Sequence, residues 1–145
     1  MAKYSESKIR CIDTLRFSSG FGILAIYASI LRKEGKMLDE VADWIENNKN
    51  RVHQAGWLDD LSFVSKKGRI SSAKAFFGTL VGVKPIGEFD YNGLTTPIGR
   101  AKGEKQGLKV LTEYIGRTIE DPENQIILIA TSDRKKQAEI YRQDR

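Results

Sequence analysis

Apolar residues recur along this chain with two periods, and the switches between them mark out its elements. Lys8 to Leu15, KIRCIDTL, alternates with a period of two and reads as a strand with Ile9 and Cys11 on one side. Arg16 to Gly22, RFSSGFG, reads as a loop of small residues. From Ile23 to Arg32 the period becomes helical, and Gly35 follows where a left-handed φ ends a helix. Ile23, Leu24, Ile26, Tyr27, Ile30 and Leu31 form so wide a stripe that this helix is expected to be largely buried. A second helix, about Leu38 to Lys49, is amphipathic through Leu38, Val41, Ala42 and Ile45. Arg51 to Trp57, RVHQAGW, reads as a strand.

The densest stretch runs from Trp57 to Ile86. Asp59-Asp60-Leu61 opens a short apolar turn, with Phe63 and Val64, that ends in the basic loop Lys66-Lys67-Gly68-Arg69. Ser71 or Ser72 then caps a helix by accepting from an otherwise orphan backbone N–H. Ala73, Phe76, Phe77 and Leu80 fall on one face of it, as core or as the lining of a slot. Val83-Lys84-Pro85-Ile86 reads as a strand whose proline favours a sheet edge or a strand start.

Beyond it, Asn92-Gly93 lies between extended segments and predicts a hairpin of residues 83–91 with 94–100, beside the strand at 9–15. A type I′ turn there needs φ > 0 at both Asn92 and Gly93. Glu104 to Thr118 is a helix with Leu108, Leu111, Ile115 and Ile119 on its inner face, broken by Asp121-Pro122-Glu123-Asn124. Gln125 to Ala130, QIILIA, reads as an apolar strand, and Asp133 caps a last helix. Alternating strands and helices with one hairpin give an α/β (α+β) class, a mixed sheet with helices packed on it. Residues 1–145 are expected to form a single domain.

Composition narrows the function classes. A chain of 145 residues with 40% hydrophobic and 30% charged residues has the balance of a globular protein. No run approaches the ~20 apolar residues of a membrane span. The one cysteine, Cys11, has no partner for an internal disulfide, which favours a reducing cytoplasm, and its strand makes it a buried small hydrophobe before a nucleophile. The net charge of +5 is spread among acidic residues with no run of five like charges, so a nucleic-acid partner is not favoured.

Candidate chemistry is sparse. Ser18-Ser19-Gly20-Phe21-Gly22 precedes a helix, where backbone N–H groups and the helix dipole favour an anion, a carboxylate included. It lacks the third glycine of a dinucleotide fingerprint. His53 is the only histidine and reads as a surface residue; Asp59-Asp60 has no Cys/His company for a metal. No catalytic group and no cofactor is called for.

The order of these pieces resembles the DegV family of bacterial fatty-acid-binding proteins. The likeness rests on Cys11-Ile-Asp-Thr followed by Ser19-Gly20-Phe21-Gly22, Glu34-Gly35-Lys36, Asp59-Asp60-Leu61, Lys67-Gly68-Arg69-Ile-Ser, Val83-Lys-Pro-Ile, Asn92-Gly93 and the basic segment after Pro97. It covers about residues 9 to 119 and is strongest for the family's second domain. The family's Thr-Asp-Ser and Ser-Gly-Thr motifs and its C-terminal histidine segment are absent, so the chain resembles a second domain cut at both ends. In the basic segment Lys102 stands where the family has arginine and Arg100 where it has lysine.

The resemblance implies a non-enzymatic lipid carrier. A long-chain fatty acid, the ligand in place of any cofactor, would lie in an apolar slot with Ser18, Ser19, Phe21, Phe76, Phe77 and Leu80 against it. Lys66, Lys67, Arg69, Arg100 and Lys102 would form a basic face toward a partner fatty-acid kinase. The rival class is an interaction module that uses the same basic face to dock a protein or nucleic acid. The half-covered acyl surface also implies self-association.

Overall fold

The computed structural model describes residues 8–58 and 83–132, together with Glu139 and Arg142. Two compact units divide the chain, Met1–Val52 and His53–Arg145. The readings at 59–82 (the basic loop, the capped helix with Phe76, Phe77 and Leu80) and the helix capped by Asp133 lie outside the described residues.

The first unit is a pair of helices, α1 (Ser18–Lys33) and α2 (Leu38–Asn48), with a 3-10 turn over Lys49–Arg51. Leu24 from α1 and Ala42 and Ile45 from α2 are buried, and the Tyr27 and Trp44 rings meet at 5.1 Å. Gly35 has φ +87°, as expected, and the amides of Gly35 and Lys36 close the end of α1 onto the carbonyls of Arg32 and Leu31. At the start of α2 the Glu40 carboxylate accepts from the Met37 amide at 2.9 Å. That bond, with Lys36 beside it, holds the Glu40 carboxyl below its ordinary value.

Four expectations for this unit need correction. Residues 8–15 form no strand. Arg10 instead binds Asp39 and Asp43, one turn apart on α2, and the Asp13 carboxylate accepts from the Leu15 amide in a local turn. Cys11 is exposed, since no sheet covers it. The expected loop at 16–22 is helical from Ser18, because Phe17 is extended and its carbonyl already accepts from the Gly20 and Phe21 amides. α1 is not largely buried: Phe21 is 54% exposed and Ile26 and Ile30 each 39%. One neighbouring helix covers one stripe, and α1 is apolar on more than one.

In the second unit a three-stranded antiparallel sheet, β1 (Ala55–Trp57), β2 (Val83–Phe89) and β3 (Thr95–Lys102), carries α3 (Gly103–Thr118). The strand read at 51–57 is confined to its last three residues. The hairpin pairs from Val83↔Lys102 to Phe89↔Thr95, with Ile98 as an extra residue opposite Ile86 and Gly87. Its turn is not type I′. Gly93 has φ +72° while Asn92 does not enter the left-handed region, and the Gly93 amide bonds the Asp90 carbonyl at 3.0 Å. This is a three-residue loop with glycine at the left-handed position. The Asp90 carboxylate selects it, accepting from the Asn92 and Leu94 amides and the Thr96 hydroxyl at 2.9, 3.0 and 3.1 Å.

Pro85 lies in the central strand, against the expectation of an edge. Its carbonyl accepts from Leu58, one residue past the end of β1, so the missing N–H removes only the last bond of that ladder. Ile86 and Ala101 are buried beneath α3 together with Tyr114. The helix turns Gly107 and Tyr114 inward, and the expected face of Leu108, Leu111, Ile115 and Ile119 is only half-buried. Trp57 explains the rotation: a Cβ on Gly107 would lie 2.9 Å from its Cε3 atom. Lys84 lies 5.5 Å from the same ring and 3.9 Å from Glu104. Residues 125–130 form no strand; no described strand runs beside them, and Leu128 and Ile129 are exposed.

Two measurements check this account. Asp90→Ala should lower stability by about 1–3 kcal/mol in urea denaturation, since a carboxylate accepting several bonds is lost; an unchanged midpoint would show that the turn forms without it. Gly107→Leu should cost about 1–3 kcal/mol by overpacking against Trp57. Gly116→Ala, where a Cβ meets nothing within 4 Å, should instead stabilise α3, by up to about 1 kcal/mol.

Candidate functional site

The start of α1 carries the expected lipid-side residues of the first unit. Phe17, at φ −134° and ψ 169°, is the N-cap, with no side-chain hydrogen bond to cap the helix and no acidic residue in the first turn. Gly20 and Phe21 donate their amides to Phe17, leaving those of Ser18 and Ser19 with no protein acceptor among the described residues. Ser18 is exposed and Ser19 half-buried. Phe17 and Phe21 are 55% and 54% exposed and bracket in sequence the two orphan donors at the positive end of the helix dipole. An anion attached to an apolar body matches that pair of properties.

The backbone entering this helix is unusual. Leu15 has φ +53° and Ser18 φ +48°, a region that costs a residue with a Cβ about 1–2 kcal/mol. Between them Arg16 is buried, at 8% exposure. Its Nε donates to the Val52 carbonyl at 2.7 Å and its Nη1 to the Leu15 carbonyl at 2.8 Å. The Thr14 hydroxyl donates to the Arg16 carbonyl and accepts from its amide. Neither Arg16 nor Phe17 was singled out from the sequence, where both sit in what reads as an ordinary loop. Their one local signal was Thr14, a residue able to bond its own backbone two positions on.

Of the expected docking residues, Arg100 and Lys102 lie two apart on β3 and are exposed on the face opposite the buried Ala101. The Lys102 amide donates to Gln106 at 2.6 Å as α3 begins. Lys66, Lys67, Arg69, Phe76, Phe77 and Leu80 lie outside the described residues. His53 is exposed, as expected, and its Nδ1 lies 3.3 Å from the hydroxyl of buried Tyr114. A groove of about 460 Å³ between α1 and α2 is lined by Ala25, Ala28, Ser29, Leu38 and Val41 with Arg32 and Lys36, and contains none of the expected lipid-side residues. Among the described residues no group of three or more His, Cys, Asp and Glu side chains could hold a metal, and no helix is long and apolar enough to cross a membrane.

Known proteins are similar to this chain in sequence and fold. A family model described as an uncharacterised protein of the DegV family matches residues 1–144. A DegV domain-containing protein of Clostridium perfringens is 36% identical over 139 residues, which is 96% of this chain and 48% of the relative. The chain thus spans about half the length of the relatives it matches. The crystal structure of a Ruminococcus gnavus DegV protein with vaccenic acid superposes at a TM-score of 0.88 and 21% identity, over 97% of this chain and 50% of that one, and shows the fold. A Thermus thermophilus DegV protein whose structure describes fatty-acid binding matches at a TM-score of 0.70 and 30% identity, over 81% of this chain and 41% of that one. With the family model running through all but its last residue, this chain belongs to the DegV family.

Proposed function

We propose that the chain supplies part of a fatty-acid carrier: it holds a long acyl chain and leaves the carboxylate accessible to a fatty-acid kinase. It is a carrier and performs no chemistry of its own. The observation that carries this reading is the 30% identity to the Thermus thermophilus protein described by its fatty-acid binding. At the start of α1 the orphan amides of Ser18 and Ser19 take the carboxylate and Phe21 borders the acyl chain. Phe76, Phe77 and Leu80 keep the acyl-chain role that the family resemblance assigns them. Each CH₂ buried contributes about 0.8 kcal/mol, so the length of wall sets the affinity.

The chain acts as the counterpart of the family's second domain, and the remaining wall comes from the other half of a DegV-type protein. The exposed Phe17, Phe21, Ile26 and Ile30 favour self-association. The single cysteine agrees with a reducing cytoplasm. Arg100 and Lys102 belong to the kinase-facing surface, a role that the family resemblance also assigns to Lys66, Lys67 and Arg69. Nucleic acid is the weaker partner for it, because the charge is not concentrated in runs.

Titration with a fluorescent fatty acid tests the site. Binding should be nearly insensitive to salt, and Phe21→Ser should weaken it about tenfold, the equivalent of roughly 1.4 kcal/mol of lost apolar contact. An unchanged affinity in that variant, or a steep fall with salt, would remove the acyl-wall assignment. For docking, Arg100→Glu with Lys102→Glu should leave the melting temperature within a few degrees and fatty-acid affinity unaltered, while kinase binding measured by calorimetry drops. Retained kinase binding would move the docking face elsewhere.

A further inference from the structure

We propose that residues 125–130, QIILIA, are an open strand that pairs antiparallel with the same segment in a second copy of this chain. Among the described residues these six make no hydrogen bond, although the run holds neither glycine nor proline. Gln125 enters it extended, at φ −110° and ψ 150°, and none of the six takes a left-handed φ. Leu128 and Ile129 are exposed, and Ile126 and Ile127 are half-buried. Each residue therefore has an N–H and a C=O still to be completed. An uncharged apolar run with a free backbone is the form that another strand completes.

Charge along the sequence selects the partner. Glu120, Asp121 and Glu123 precede the segment; Asp133 and then Arg134, Lys135 and Lys136 follow it. An apolar run with acid before it and base after it is complementary to itself when reversed. An antiparallel copy brings the acidic end of one segment to the basic end of the other. A parallel copy would set like charges side by side, which is destabilising. Asp121 and Glu123 are exposed, and neither forms an ion pair among the described residues. The segment lies in the second unit, so these residues are distinct from the exposed side chains of α1.

Cysteine cross-linking tests the pairing. Two chains are made, Gln125→Cys and Ala130→Cys, each with Cys11→Ser to remove the natural thiol. Mixed under a mild oxidant, they should give the mixed dimer about fivefold or more over either homodimer, since antiparallel strands set 125 beside 130. Adding Leu128→Pro should abolish the product and leave the melting temperature within a few degrees, because the 128 amide has no bond to lose. Adding Phe21→Ser should leave the product unchanged. Hydrogen exchange on the unaltered chain needs no substitution: residues 125–130 should be protected about tenfold when concentrated and exchange freely on dilution. Homodimers through 125 alone mean a parallel pair, and exchange that is free at every concentration means no pair. Protection that survives every dilution, or a large fall in melting temperature with Leu128→Pro, means that the same chain already covers the segment. A product that survives Leu128→Pro but not Phe21→Ser places the contact on α1. Each of these results overturns the inference.

Discussion

Among the described residues, strand forms where a neighbour accepts and donates along it, and most of the architecture follows from that demand. β2 has a partner on each side and is the central strand, with Ile86 fully buried. Its proline is tolerated because it stands opposite Leu58, where the short β1 has just ended. The two apolar runs that alternate or read as strands at 8–15 and 125–130 have no described ladder beside them, and neither is a strand. In the first of them the polar side chains take over: Arg10 turns to α2 and Asp13 to the Leu15 amide.

The same demand explains the two places where the backbone bends sharply. At the hairpin, three donors converge on the Asp90 carboxylate, so the loop closes with one left-handed residue and glycine fills it. At the entrance to α1 no glycine is available, and Leu15 and Ser18 take left-handed values under the hold of Arg16 and Thr14. One bend is relaxed and the other strained. The strained one lies beside the helix start that carries the proposed head-group contacts.

How much of this could be read from residues alone depended on range. Among the described residues α2, α3, the hairpin and the glycine after α1 follow from spacing over a few residues, and they lie close to where the pattern puts them. The rotation of α3 was hidden because Gly107 offers no hydrophobic signal; what turns it inward is the Trp57 ring from a different element. The orientation of Arg16 was hidden for a related reason, since its acceptor at Val52 is distant in sequence. Serines before an apolar helix pointed to an anion, but the helix begins at Ser18 itself and not five residues later, which puts both serines inside the first turn.

That shift of the helix start changes what the terminus can do. Had the serines lain in a loop ahead of the helix, a hydroxyl could have capped it and satisfied the first-turn donors. With Ser18 as the first helical residue, Phe17 is the cap and supplies a carbonyl but no side-chain acceptor. The donors of Ser18 and Ser19 then have no acceptor among the described residues, and water or an anion can complete them. Phe17 and Phe21, exposed and bracketing these donors in sequence, fit the proposed ligand, an anion carried on an apolar chain. The uncapped helix start and the exposed phenylalanines thereby support the same proposed chemical class.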